Sequence, residues 1–387
     1  MDFNLTREQQ ELVSLLEKVG REKLRPGALD RRFKPDETPK QNIKLLADLG
    51  IFGLCMPASV GGSEQPYING ILAIEKITEA CPITGQYALM CIGGPAMFVA
   101  KWGTEDQKQK FLPAAIAGDE YWSISLTEPI AGTDLSALRT RATISGSRCL
   151  INGHKIFCSH ASTNHRFLVF VRFAEGAGGI GAVLISKDTP GFTISAPHRH
   201  MSGEPWCELF FDNAEISVDD ILFDGNAFGR LLSTYSLERC AGAVTTLAAS
   251  RIAFDLAVEH AKERKQFGRP IADFQMTQAR LADMYMRYES ARLLLYRAVA
   301  EGDESPNARL NTSAAFVAAT EAAAYVCEQA MNIFGGSGMS QDLPIEWLYR
   351  LAREHWAAGG TSDIHRSMIA ADILGVHFNH RLPSQQY

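Results

Sequence analysis

The sequence predicts an α+β protein in three consecutive parts: an N-terminal helical domain (residues 1–118), a central antiparallel β-domain (119–225) and a C-terminal four-helix-bundle domain (226–387). Three observations carry this expectation. Apolar residues recur at three- and four-residue spacing at both ends of the chain, which is the period of an amphipathic helix. Between the ends they fall instead into short β-branched and aromatic runs broken by Gly, Pro and Asn. Finally, 387 residues with 46% apolar content can fill two or three packed regions.

Taken in order, LTREQQELVSLLEKVGREKL and TPKQNIKLLADLGIFGL both read as helices, the second with Thr38 as its N-cap. The strand runs come next as YWSISLTE, ATISGS, CLINGHKIF, FLVFVRF, AVLISK, GFTIS and CELFFDN. Long helical patterns then return in LSTYSLERCAGAVTTLAASRIAFDLAVEHAKERKQ, MTQARLADMYMRYESARLLLYRAVAEG and TSAAFVAATEAAAYVCEQAMNIFGG. GAGGIG at 176–181 satisfies the spacing of a dinucleotide-binding loop, but AVLIS after it is short and β-branched where that loop needs a helix. A hairpin turn is the better reading.

A formal charge of -6 without clustered Lys and Arg argues against a nucleic-acid or anionic-membrane surface. Cysteines 55, 81, 91, 149, 158, 207, 240 and 327 form no CxxC pair and mostly sit in apolar stretches, as reduced thiols packed like small hydrophobes would. The opening MDFNLTREQQ is too polar for a signal or transit peptide, so a cytoplasmic enzyme is expected. No unbroken apolar run reaches the roughly 18 to 20 residues of a membrane span. His198 and His200 have no thiol or carboxylate cluster at ligand spacing around them, so no metal is expected and both read as loop histidines.

Four short segments carry the chemistry: SLTEPIAGTDLSAL (125–138), NGHKIFCSHAS (152–162), ERKQFGRPIADFQ (263–275) and IFGGSGM (333–339). Alone, the first is a glycine turn, the second a strand alternating Phe inward and Ser outward, and the third a basic helix end matched to the helix dipole. Together, in this order and spacing, they resemble the acyl-CoA dehydrogenase family over nearly the whole chain. The resemblance implies a flavoprotein that binds FAD and removes an α-proton and a β-hydride from an acyl thioester, leaving a trans-2-enoyl product.

By that resemblance Leu126 and Thr127 meet the pyrimidine edge of FAD, and Gly132 and Thr133 its pyrophosphate. Phe157 and Ser159 stand where the family usually has a Trp against the flavin ring and a Thr bonded to it. Arg264, Gln266, Phe267 and Gln275 would hold the adenine-diphosphate half of FAD from a neighbouring subunit, making a homotetramer (or dimer) a condition of cofactor binding. Gly336 and Thr361 fit the pattern, while Asn332 and Asp363 replace Gln residues, and a carboxylate at 363 would sit poorly beside phosphate. Pro205 and Trp206 stand where small hydroxyl residues are commoner.

The catalytic base presents a puzzle. In many members the segment matching AAGGTSDIH reads YEGTSQIQ and its Glu is the base; here that position is Gly359. A branch typified by isovaleryl-CoA dehydrogenase instead carries the base on a helix before ERKQFG, and YSLERCAGAV places Glu238 there. Glu238 is therefore the expected base, the Gly359 backbone N–H the expected donor to the enolate oxygen, and Arg239 the expected substrate contact. The plain alternative is a Glu beside an Arg on a solvated helix face. The acyl group is expected to be short, branched or cyclic, carried on CoA or on a carrier protein, with an electron-transferring flavoprotein or oxygen taking the electrons. A flavin-dependent monooxygenase or oxidase, an enoyl-thioester reductase, and a scaffold without catalysis are the alternatives.

Overall fold

The computed structural model of the protein describes residues 4–376 and Phe378. Six helices come first: α1 (Arg7–Val19), α2 (Lys40–Asp48), α3 (Tyr67–Ala80), α4 (Pro82–Ile92), α5 (Pro95–Trp102) and α6 (Glu105–Ile116). Two of them start at capping boxes. The Thr6 hydroxyl accepts from the Gln9 N–H while the Gln9 side chain accepts from the Thr6 N–H, and Thr104 and Gln107 repeat the arrangement at α6. Thr38 does not cap α2 as expected. Pro39 occupies the cap position, and the Thr38 hydroxyl pairs with the Tyr87 hydroxyl at 3.2 Å.

Nine strands come next: β1 (Trp122–Ser125), β2 (Arg141–Ser145), β3 (Arg148–Ser159), β4 (Arg166–Arg172), β5 (Ile180–Ser186), β6 (Phe192–Ile194), β7 (His198–Arg199), β8 (Pro205–Ser217) and β9 (Ile221–Phe223). They form one sheet in the order β6-β8-β3-β2-β4-β5-β9, with β1 beside β4 and β7 beside β8. Pairing is antiparallel along most of this path but parallel where β4 meets β1 and β2, so the sheet is mixed. Residue patterning reports which face of a strand is buried, not the direction of its neighbour. The GAGGIG segment turns β4 into antiparallel β5, a hairpin as expected.

The chain then runs through α7 (Ala227–Glu263), a small hairpin of β10 (Lys265–Gln266) and β11 (Arg269–Pro270), and helices α8 (Gln275–Glu301), α9 (Ala308–Phe334), α10 (Ile345–Glu354) and α11 (Ser362–Leu374). Two compact units result. One comprises residues 4–34, Tyr67–Gln86 and Ser236–Leu374; in it α9 packs against α8, α10 and α11 through small residues such as Ala315, Ala319, Ala323 and Ala330. The other comprises Pro35–Pro66 and Tyr87–Tyr235. There, one core joins Phe98, Phe111 and Trp122 to Phe170 and Leu184, and a second fills one face of the sheet with Cys149, Ile151, Phe167, Cys207, Leu209 and Phe211.

All eight cysteines are free thiols, seven of them buried. Although no unbroken apolar run is that long, Pro82–Trp102 and Ala227–Glu263 are long and apolar enough by mean hydropathy to cross a membrane. Their apolar windows are 72% and 61% buried inside the protein, which accounts for that composition by core packing.

Candidate active site

In the sheet-bearing unit, the TEPIAGTD segment leaves β1 and is tied down from beneath by a buried ion pair. Lys155, on β3, is 0% exposed and donates to the Leu126 carbonyl (3.0 Å) and to Glu128 Oε1 (2.8 Å). Glu128 also accepts from the backbone N–H groups of Arg139 (2.6 Å) and Thr140 (2.9 Å). Burial alone would raise the Glu128 pKa, but the Lys155 ammonium and these hydrogen bonds hold it below its ordinary value. Burial dominates at Lys155 and lowers its pKa to about 8 in spite of Glu128. With the loop so anchored, Leu126 and Thr127 are partly exposed, and Gly132 and Thr133 face open space; a Cβ on Gly132 would meet nothing within 4 Å. Sequence reading missed this pair, although a Lys at an inward position of an otherwise alternating strand is its signal.

Phe157 and Ser159 are placed by a bulge. Counting inward positions from Cys149 and Ile151 would send Phe157 into the core, but the β3–β8 register shifts between Lys155 and Cys158. Because side chains alternate, one extra residue exchanges faces. Cys158 takes the buried place, while Phe157 and Ser159 both turn to the outer face, Phe157 at 53% exposure and with φ +57°. A left-handed backbone under an exposed phenyl ring is a strained arrangement of the kind that collects at functional sites. The strand reading with Phe inward is therefore overturned. Trp206, directly opposite Ser159 on β8, lies against the Phe157 ring at 4.6 Å between centroids.

The helical unit holds the base candidate. Glu238 lies on α7 and is only partly exposed; burial, partly offset by the neighbouring Arg239 charge, raises its pKa from 4.5 to about 7. A solvated helix face does not describe this position. Arg239 is buried at 7% exposure and donates from Nε to the Gly359 carbonyl at 2.9 Å, so it is committed to the turn between α10 and α11. Gly359 and Gly360 have φ of +75° and +113°, both in the left-handed region that favours glycine. Beneath them His365 is 0% exposed and packs on Phe316, and a Cβ on Gly360 would come within 3.2 Å of its Nε2. Burial, reinforced by Arg239, lowers the His365 pKa to about 4 and keeps the ring neutral. Thr361 caps α11, and exposed Asp363 sits in its first turn, where the helix dipole favours a carboxylate.

Arg264, Gln266 and Phe267 occupy the β10–β11 hairpin, all exposed, with Phe267 at φ +52° and 94% exposure. Gln275 opens α8 in an exposed position, and Asn332 and Gly336 are exposed at the end of α9. His198 is not a plain loop residue: it lies on β7, stacks on Trp206 at 4.4 Å and lies 3.4 Å from Glu208. Among the described residues no group of three His, Cys, Asp or Glu could hold a metal.

Known proteins are similar over nearly the whole chain. Residues 6–119, 123–214 and 228–374 match the acyl-CoA dehydrogenase N-terminal, middle and C-terminal domains, respectively. An acyl-CoA dehydrogenase of Bacillus subtilis is 33% identical across 96% of this chain and 100% of its own length. A 3-sulfinopropanoyl-CoA desulfinase of Paraburkholderia xenovorans is 32% identical across 98% and 99%. Among solved structures, butyryl-CoA dehydrogenase from Megasphaera elsdenii superposes with a TM-score of 0.91 at 31% identity, covering 97% of this chain and 100% of that one. A FAD complex of PigA gives 0.91 at 25% identity over the same shares.

Proposed function

The chain belongs to the acyl-CoA dehydrogenase family of FAD flavoproteins, oxidoreductases acting on CH–CH groups of acyl-CoA, and on that premise we propose that it desaturates a short, branched or cyclic acyl thioester with Glu238 as the α-proton base. One observation carries the reading. Arg239, next to Glu238 on α7, bonds the turn at Gly359, where a side-chain base is missing, and this supports a base supplied from the same stretch of α7. Raised to about 7, Glu238 is basic enough to take a proton and is ionised in a useful fraction near neutrality. Arg239, buried beside it, positions the turn; its Nε is committed to the protein backbone. The Gly359 N–H is the donor for the enolate oxygen that develops as the α-proton leaves.

The exposed outer face of β3 and the TEPIAGTD loop suit the flavin ring and pyrophosphate, with Phe157 giving an aromatic wall and Ser159 a hydroxyl. FAD, when bound, supplies the acceptor for the β-hydride. Phe267, almost wholly exposed on a left-handed backbone beside Arg264 and Gln266, supports an assembly in which this hairpin meets a second copy and its FAD, a homotetramer in our reading. Electrons would leave to an electron-transferring flavoprotein, from a cytoplasmic enzyme. Butyryl-CoA dehydrogenase as a structural neighbour supports a small acyl group; CoA and carrier-protein tethers are the two forms to compare.

The test is anaerobic bleaching of the bound flavin by a panel of saturated CoA and carrier-protein thioesters. Rapid bleaching by short or branched esters is expected. Bleaching by none of them, with NADH-dependent reduction of an enoyl thioester or oxygen-dependent turnover instead, would replace this reading with one of its alternatives.

A further inference from the structure

Two departures from the family pattern meet at one place. Phe157 is smaller than the Trp expected at its position, and Trp206 is far larger than the hydroxyl residue expected at its own. They belong to different strands, yet Ser159 and Trp206 are direct partners in the β3–β8 ladder, and side chains of directly opposed residues share a face. Burial alternates along β8, with Pro205, Cys207, Leu209 and Phe211 inward, so Trp206 stands on the outer face. The bulge brings Phe157 onto that same face, 4.6 Å from the indole and tilted by 47°. Trp206 thus adjoins both residues assigned to the flavin ring.

Its other neighbours hold it there. His198 stacks on the indole at 4.4 Å and 24°, and Glu208 anchors His198 at 3.4 Å while bonding His154 at 2.6 Å. His154 in turn stacks on Phe210 at 4.6 Å. An indole braced in this way has a fixed orientation and loses little freedom when a flat ligand arrives.

We propose that Trp206 is a cofactor-binding residue of this chain: together with Phe157 it forms a composite aromatic wall for the FAD ring system, restoring from β8 the indole that β3 has lost. The inference rests on the flavin reading of Phe157 and Ser159. Its consequence is chemical as well as steric, because an indole is readily oxidised by an excited flavin and returns the electron without emission, whereas a phenyl ring is not. Bound FAD should therefore be nearly non-fluorescent in the wild-type protein although residue 157 is Phe.

The experiment measures fluorescence of protein-bound FAD and the Kd for FAD on reconstitution of the apoprotein. Trp206→Phe and Trp206→Ser should each raise bound-flavin fluorescence several-fold, and Trp206→Ser should weaken FAD about tenfold, the scale of one aromatic contact. Adding Phe157→Trp to Trp206→Ser should quench the flavin again and recover affinity. The bulk-preserving Trp206→Phe variant, with apoprotein unfolding temperature as control, separates loss of quenching from loss of β8. Unchanged fluorescence in both single variants, or tighter FAD binding in Trp206→Ser, overturns the inference while leaving the family's flavin reading intact. A wild-type protein that cannot be loaded with FAD overturns the flavin reading itself.

Discussion

Two carboxylates on which burial acts, Glu128 and Glu238, meet opposite fates. Glu128 receives an ammonium and two backbone N–H groups directly on its oxygens, and these overcome the burial that would otherwise raise its pKa. Glu238 has a guanidinium next to it in sequence, but the Nε of that group serves the Gly359 carbonyl, and burial prevails, lifting the carboxyl to about 7. Both are glutamates placed by regular elements or the loops they anchor. The difference between the two pKa values follows from whether the fold answers the charge at the carboxylate's own oxygens, and it is what the proposed roles, structural for Glu128 and chemical for Glu238, rest on.

The sharpest way to break the comparison is to remove the titrating oxygen. Glu238→Gln should slow substrate-driven flavin reduction by about 10²- to 10⁴-fold, the range of general base catalysis, while leaving bound FAD unchanged. In the wild type the rate should climb with pH through about 7, as the base loses its proton, and that limb should vanish in the variant. Stopped-flow reduction across pH measures both, and full-speed reduction in Glu238→Gln would falsify the base assignment.

Next in size is the paired site. Lys155→Met leaves Glu128 buried with its ammonium gone and should cost about 3–5 kcal/mol in denaturant unfolding, whereas the double variant Lys155→Met with Glu128→Gln should lose much less. Equal losses would mean that packing, not charge, holds the loop.

Glu238→Gln also has a stability signature of opposite sign. Because the folded-state pKa lies above the ordinary 4.5, wild-type stability is greatest below that value and declines as pH rises from 4.5 to about 7. The variant lacks this decline, so it should equal wild type near pH 4 and exceed it at pH 8 by up to about 3 kcal/mol. Melting curves of the apoprotein at the two pH values decide it. Smallest is the relocated base: Glu238→Gly with Gly359→Glu should recover a minor part of the lost rate. The φ of +75° at Gly359 costs a non-glycine residue roughly 1–2 kcal/mol, and a double variant as slow as Glu238→Gly alone would show that the turn cannot present a carboxylate.

Much of the frame is legible in the sequence. Apolar periodicity gives the helices and the β-rich middle, GAGGIG is separable from a nucleotide loop by the short β-branched run AVLIS on its C-terminal side, and Glu238 emerges because Gly359 cannot serve. The misses share a cause. Thr38 has the chemistry of an N-cap but bonds a tyrosine distant in sequence, and the parallel pairings of β4 leave no mark on residue alternation. The Glu128–Lys155 pair joins positions separated by most of the early sheet, and His198 finds its role on β7 against Trp206.

The sequence by itself determined what is local or additive: element type from period, family from ordered motifs, and a candidate base from the one acidic residue in the right string. Only the tertiary structure decided which side chains share a face and which charges are answered. A single inserted residue in β3 reverses the side on which Phe157 and Ser159 emerge, and the partner of a buried carboxylate is chosen by strands and turns distant in the chain. Parity and desolvation are properties of neighbours in space, and a residue's letter does not carry them.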